Sequence, residues 1–380
     1  MNMRILFISN YSQLYGANRS LLTLLSFFSQ KSQYEIKLFI PSNGGIVQEL
    51  EECGISYEVL PYISQLWYYK LQMKYLVQPF VVLFTFLMLP YLLIRAKKYH
   101  PDIIYSNTSA ENVGIIIAKT LGVKHISHIR EFMDLDHSAK FVGGNDWKKK
   151  YIDLSDGIIY VSKSVAEWVN QSPHLSSNQT VVYNGVNMPC MNPHKCHWEQ
   201  FHFGIVGILD EEKGQHIAIQ YFHRMLSEMP SAKLHIYGDK EGEYKKLLHR
   251  LVDDLNMWEN VVFHGFVKDA ATIYNEMDVL LMCSRMEGFG RVTVEAMQHG
   301  IPVIGYNAGG TSEIVINNKN GFLFEDEEQF VDSVHELFSS PSRYEEISAA
   351  AYQDSHYRFS IERYCESVEQ FVESIYRDCR

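Results

Sequence analysis

Along the chain, short apolar runs at residues 4–9, 36–40, 103–106, 125–129 and 157–161 alternate with longer stretches, at 19–29, 112–121 and 164–170, whose apolar positions recur at helical spacing. The short runs read as strands buried on both faces and the longer ones as amphipathic helices, so the pattern predicts βα repetition around a parallel sheet. A second series has strand-like runs at 203–206, 233–237, 261–264, 279–282 and 302–305, separated by helical stretches at 215–228, 244–256, 270–276 and 292–299. Between the two series, residues 180–183 lead into Asn184-Gly185-Val186 and a polar, proline-containing stretch up to Trp198 that has no periodicity and reads as the linker. The tail, 327–380, is helix-rich, with Phe371 and Ile375 at helical spacing. The expected fold class is α/β: two doubly wound domains facing each other across a cleft.

Length and charge sharpen that picture. A chain of 380 residues exceeds what one hydrophobic core usually holds, and 46% apolar residues suffice for two. Residues 1–190 carry 17 Lys+Arg against 14 Asp+Glu, net +3; residues 191–380 carry 17 against 31, net −14. The acidic second half argues against a nucleic-acid partner, and the first half is the better match for an anionic surface or substrate. The six cysteines are scattered without a C-x-x-C pair, as in reduced cytosolic proteins, and residues 1–8 read as a strand rather than an export signal. The expected location is cytoplasmic. Residues 76–94 are uncharged, but Pro79 and Pro90 interrupt them and Lys70, Lys74, Arg95, Lys97 and Lys98 flank them. With Trp67, Tyr68, Tyr69 and Tyr75 nearby, they read as a buried or interfacial helix giving peripheral contact with an anionic membrane, rather than a span.

The chemistry concentrates at residues 284–301. Glu287 and Glu295 stand on either side of Gly288-Phe289-Gly290-Arg291, a turn that opens a helix, and Gly309-Gly310-Thr311 follows the next strand. Unpaired N–H groups at a helix start suit a diphosphate, and carboxylates accept hydrogen bonds from sugar and ribose hydroxyls, so these residues point to a nucleotide-sugar site. Lys213, in the loop after the first strand of the second series, is placed to balance the charge of a departing diphosphate. Gly16, after the first strand of the chain, permits close approach of backbone to a ligand. His128 and Arg130 end a strand in the first half, where His128 would meet a sugar hydroxyl and Arg130 a phosphate or Glu131. Neither a dinucleotide fingerprint nor a phosphate loop of the Walker type is present, which counts against dehydrogenases and ATPases. Asp134-Leu135-Asp136 has the spacing of a metal-holding triplet, but such triplets are frequent by chance, and no metal site is expected.

Together these residues resemble family 4 of the retaining glycosyltransferases, which have the GT-B fold. The most specific element is Glu287 and Glu295 separated by seven residues; Asn107-Thr108-Ser109, Asn184-Gly185-Val186, Lys213-Gly214, Gly238, Gly265-Phe266 and Pro302-Val303-Ile304 support it. The resemblance implies an N-terminal acceptor-side Rossmann-like domain (1–190), a nucleotide-sugar-binding Rossmann-like domain (191–355) and a C-terminal helix (356–380) that returns to the first domain. It implies that Glu287 meets the donor sugar, Glu295 the ribose, Gly288, Phe289, Gly290 and Arg291 the diphosphate and Lys213 the leaving group, with His128 on the acceptor side. Two positions depart from the family pattern. Tyr15 stands in place of the first glycine of a Gly-Gly pair, and Ile208 in place of a basic residue after Gly207, leaving more of the neutralisation to Lys213 and Arg291.

The implied activity is transfer with retention from a nucleotide diphosphate sugar, UDP-sugar on family frequency, to a glycan or lipid-linked glycan in surface-polysaccharide assembly, with no bound cofactor required. Rival readings are a nucleotide-sugar epimerase, which needs no acceptor, a phosphorylase, which needs inorganic phosphate, and a non-catalytic nucleotide-sugar binder.

Overall fold

The computed structural model describes residues 2–64, 66–68, 74–132, 139–141, 143–187 and 196–377; Asp134, Asp136 and residues 188–195 of the expected linker lie outside them. The chain begins with β1 (Met3–Ile8), α1 (Gly16–Ser29), β2 (Tyr34–Ile40), α2 (Ile46–Glu52) and β3 (Tyr57–Val59). After β4 (Leu66–Tyr68) and α3 (Lys74–Tyr99) come β5 (Ile103–Ser106), α4 (Val113–Leu121) and β6 (Lys124–Ile129). Then follow β7 (Ala139–Phe141), α5 (Asn145–Asp153), β8 (Gly157–Tyr160), α6 (Lys163–Asn170) and β9 (Gln179–Val181). Seven of these strands form a parallel sheet in the order β3-β2-β1-β5-β6-β8-β9, while β4 and β7 pair separately and antiparallel.

Strand alternation divides the core of this first unit in two. Ile5, Phe7, Tyr105 and Ile126 pack on one face with Leu21, Leu25 and Phe28 of α1, and Leu6, Ile8 and Ile104 pack on the other with Leu92 and Ala96 of α3 and Ile117 of α4. Because both faces are covered, the strands read as continuous apolar runs. The apolar segment expected at 76–94 is part of one 26-residue helix, α3, with Pro79 and Pro90 inside it. Its residues Val81, Thr85, Leu92 and Ala96 are buried, whereas Phe80, Leu83, Phe86, Leu87 and Ile94 are each more than half exposed. One apolar stripe thus packs on the sheet and a second one is left to solvent.

The second unit, Val186–Ser360, starts with β10 (His202–Val206), α7 (Gln215–Met225), β11 (Lys233–Tyr237), α8 (Glu243–Asp254) and β12 (Val261–Gly265). It continues with α9 (Ala270–Asn275), β13 (Val279–Met282), α10 (Arg291–Gln298), β14 (Val303–Tyr306), α11 (Gly309–Ile314), β15 (Phe322–Phe324), α12 (Glu327–Leu337) and α13 (Pro341–Arg358). Its six strands run parallel in the order β12-β11-β10-β13-β14-β15. Phe203, Ile205, Leu234 and Ile236 meet Phe222 of α7 and Leu248 of α8 in one core.

The last helix, α14 (Ile361–Arg377), belongs to the first unit, which comprises residues 1–185 and 361–380. Its Tyr364, Val368, Val372 and Ile375 face α1 and the sheet. In the first unit β1 lies between β2 and β5, and in the second β10 lies between β11 and β13. These are the points where strand order reverses, and the loops leaving the carboxyl ends of the two central strands there diverge to leave room for a ligand.

Candidate active site

The topology of the second sheet brings Lys213 and Glu287 together although 74 positions separate them. Residues 207–214 leave β10 and residues 283–290 leave the adjacent β13, at the same end of the sheet. The first loop closes with a turn of 3-10 helix at Glu211–Lys213 and Gly214, whose φ of 73° suits glycine and whose missing side chain lets it lie against the Cys283 carbonyl. That close approach sets the two loops side by side. Lys213 Nζ then donates to Glu287 Oε1 at 2.6 Å, with both side chains largely shielded from solvent.

Beyond Glu287 the chain turns through Gly288 and Phe289 to Gly290, which caps α10 in a left-handed conformation (φ 91°). Among the described residues no side chain caps this helix, and within its first turn the Thr293 N–H turns back to the Gly290 carbonyl at 3.1 Å, so an anion would meet the positive end of the helix dipole. Phe289 is buried and its ring meets Phe359 edge-on, which anchors the turn. The turn is also held by α11: Gly310 N–H donates to the Glu287 carbonyl at 2.7 Å. Arg291 opens α10 and its Nη2 lies 3.5 Å from Glu295 Oε1, one helical turn on. Tyr274 of α9, itself buried, donates its hydroxyl to Glu295 Oε2 at 2.9 Å.

Sequence reasoning gathered Glu287, Gly288, Phe289, Gly290, Arg291 and Glu295 from one stretch and added Lys213, and the structure sets all seven around one end of β10 and β13. It missed Tyr274 and Gln215, which lie on other elements and carry no motif. Gln215 Nε2 donates to the Ile208 carbonyl at 3.0 Å and so fixes the loop that carries Lys213. Gln215 Oε1, Thr293 Oγ1 and Thr311 Oγ1 are buried acceptors without a hydrogen-bond partner among the described residues. Ile208, in the place of a basic side chain, is about half exposed.

Gly16 and His128 belong to the first unit. Gly16 is the first residue of α1, directly after the loop that leaves the central strand β1, and the exposed Tyr15 precedes it. Asn18 shapes that loop, donating from Nδ2 to the Tyr11 and Gln13 carbonyls at 2.9 and 2.8 Å and accepting from Ser9 Oγ at 2.7 Å. Tyr11 is held protonated, chiefly by burial and secondarily by the Glu131 carboxylate. His128 is wholly buried, so the sugar contact expected of it is not available to the ring in this conformation. Its Nδ1 lies 2.5 Å from the Tyr105 hydroxyl and 3.0 Å from Arg130 Nη2, and burial with the adjacent Arg130 charge holds it neutral. Arg130, expected near phosphate or Glu131, is a buried hub. Its Nε donates to Asn107, its Nη1 to Asn184 Oδ1 at 2.6 Å and its Nη2 to the Tyr364 hydroxyl at 2.9 Å, while its own N–H donates to Glu131 Oε2 at 3.1 Å.

Comparison with known proteins agrees with this layout. The sequence model for Glycosyltransferase Family 4 matches residues 15–188, and that for glycosyl transferases group 1 matches residues 196–354. The chain is 28% identical over 245 residues to "Spore coat protein SA" of Bacillus subtilis, covering 57% of this chain and 64% of that protein. It is 29% identical over 192 residues to the "Capsular polysaccharide biosynthesis glycosyltransferase CapM" of Staphylococcus aureus, covering 49% of each. The matched part thus spans about half to two thirds of these relatives. Among solved structures, that of Anabaena Alr3699/HepE in complex with UDP superposes with a TM-score of 0.80 at 21% identity, covering 98% of this chain and all of the other. With one domain model filling each half and a fold shared with GT-B enzymes over nearly its whole length, the chain belongs to the glycosyltransferases, a Family 4 domain joined to a group 1 domain.

Proposed function

We propose that this protein is a retaining glycosyltransferase that moves a hexosyl group from a UDP-sugar to a glycan or lipid-linked glycan during surface-polysaccharide assembly. The observation that carries the reading is the Lys213–Glu287 pair beside the N-terminus of α10, a cation and a carboxylate next to a helix start that no side chain caps. In this reading the α10 amides and Arg291 hold the diphosphate, Glu287 accepts from sugar hydroxyls and Glu295, oriented by Tyr274, accepts from the ribose. The bond from the anomeric carbon to the diphosphate oxygen breaks as the acceptor oxygen attacks the same face. The acceptor proton passes to the leaving diphosphate, whose charge Lys213 and Arg291 stabilise. We assign the reaction no further cofactor. In the first unit we assign the acceptor to the loop at Tyr15 and Gly16, and to His128 the holding of Tyr105 and Arg130. UDP as nucleotide is supported by the Anabaena structures, which hold UDP and UDP-glucose, and polysaccharide as product by the capsular relative.

A lipid-linked acceptor at the cytoplasmic membrane face is supported by α3. Its exposed Phe80, Leu83, Phe86, Leu87 and Ile94 run into Arg95, Lys97 and Lys98, a combination suited to the headgroup boundary of an anionic bilayer.

The test is NMR-monitored turnover of UDP-, GDP- and ADP-sugars with and without a membrane extract. Acceptor-dependent release of UDP with an α-linked product from an α-donor is expected. Sugar conversion without an acceptor would replace this reading with an epimerase, and nucleotide binding without turnover on any acceptor would replace it with a binder. Flotation with phosphatidylglycerol vesicles tests the membrane part: Leu83→Glu with Leu87→Glu should abolish flotation, and unchanged flotation would remove α3 from the proposal.

A further inference from the structure

The second sheet carries a row of side chains that glycosyl transfer does not use. On β10, β11 and β12, residues Phe203, Ile205, Leu234, Ile236, Val261 and Phe263 face the core under α7 and α8. Alternation therefore turns His202, His235, Tyr237 and His264 to the opposite face. Each histidine stands two positions beyond the register partner of the one before it, on the same face, and this diagonal brings the three imidazoles into contact: His202 Nδ1 lies 2.8 Å from His235 Nε2, and His235 Nδ1 lies 2.8 Å from His264 Nε2. Glu276, at the end of α9, joins them, and one ligand atom from each of His235, His264 and Glu276 lies within 4.8 Å of the other two.

We propose that His235, His264 and Glu276 bind a divalent first-row transition metal ion, with zinc the best match to two imidazoles and a carboxylate. A polar row that served packing alone would be satisfied by hydrogen bonds between the rings. Here a carboxylate converges on them as well, and two of the three ligands, His235 and Glu276, have an outer partner. His235 has Nδ1 toward His264 and Nε2 on His202, and the Glu276 carboxylate accepts from the Tyr237 hydroxyl at 2.8 Å. Such outer partners fix the tautomer and direction of metal ligands.

Nitrogen ligands on a tetrahedral zinc stand about 3.3 Å apart. The 2.8 Å contact between His235 and His264 must therefore open by roughly half an ångström, and Glu276, which is exposed, has room to swing in. The fourth position is left to water. A bound ion would tie β11, β12 and the end of α9 together, three elements with no covalent link nearer than the intervening loops.

The experiment is calorimetric titration of the full-length, EDTA-treated protein with zinc chloride, with thermal unfolding in parallel. One zinc per chain and a zinc-dependent rise in Tm are expected. His264→Ala and Glu276→Gln should each weaken binding at least tenfold, while His216→Ala, on α7 and bonded instead to Tyr244, should leave it unchanged. Should His264→Ala unfold, the wild-type imidazole nitrogen signals decide: His235 Nδ1 and His264 Nε2 must shift on adding zinc. Absence of uptake, uptake that both substitutions leave intact, or unshifted histidine signals would each overturn the proposal. The outcome is independent of the sugar chemistry.

Discussion

Replacing Gly310 with alanine should damage the candidate site through a single methyl group. An ideal Cβ on Gly310 would stand 2.4 Å from the Phe289 carbonyl oxygen and 2.6 Å from its Cα, where ordinary contact begins at 3.4 Å. Both neighbours are backbone, so no side chain can rotate out of the way, and α11 and the 287–290 turn must separate by about 1 Å. The Gly310 N–H bond to the Glu287 carbonyl is then stretched as well. Overpacking of this kind costs about 1–3 kcal/mol, and the strained hydrogen bond adds about 1 kcal/mol. A displacement of Glu287 by about 1 Å should lower turnover on the order of 100-fold. The comparison is Gly54→Ala in the first unit, where φ is +65° but nothing lies within 4 Å of the added carbon. That substitution should cost about 1–2 kcal/mol of backbone strain with no change in activity. Acceptor-dependent UDP release and urea unfolding measure the two quantities. Turnover of Gly310→Ala within twofold of wild type would refute the argument that α11 seats the Glu287 turn.

Lys213→Ala should lower kcat by about 100- to 1,000-fold while changing acceptor KM little, because the charge it meets develops in the transition state; equal losses in both would remove it from leaving-group stabilisation. Tyr274→Phe removes the hydroxyl on Glu295, so UDP affinity should fall about fivefold at unchanged kcat, read by calorimetry and steady-state kinetics. Arg130→Leu leaves Asn107, Asn184, Tyr364 and His128 without their buried donor and should cost about 3–5 kcal/mol in urea unfolding, whereas a loss under 1 kcal/mol would deny it the role of hub. His125 lies between Ser106 and Ser155, and burial lowers its pKa to about 3. The unfolded chain then binds a proton below about pH 6.5 that the folded chain refuses at this site, so the share of stability from His125 should be flat above that pH and fall by up to about 2 kcal/mol on going to pH 5. In His125→Gln that part of the pH slope should vanish.

The sequence was most legible where structure is local. Runs such as those at 103–106 and 157–161 are apolar on successive residues because both faces of a parallel sheet are covered, and the strands lie there. The short strands at Tyr57–Val59 and Phe322–Phe324 left no comparable signal, since three residues at a sheet edge are too few to show a period. Glu287 and Glu295 were visible because one turn and one helix hold both, and the glycines between them mark the turn.

Contacts between distant segments were decided by the tertiary structure. The choice of β13 as neighbour to β10 puts Lys213 on Glu287, and the placement of α9 puts Tyr274 on Glu295. His128 and Arg130 looked like residues of an open strand end, yet Tyr364 of the last helix and Asn184 close over Arg130 and both become buried. His235, His264 and Glu276 stand on three separate elements, so their convergence has no signature in linear spacing. Periodicity encodes which face of an element avoids water; which elements then meet depends on sheet order, and the sheet order is settled only when all the faces pack at once.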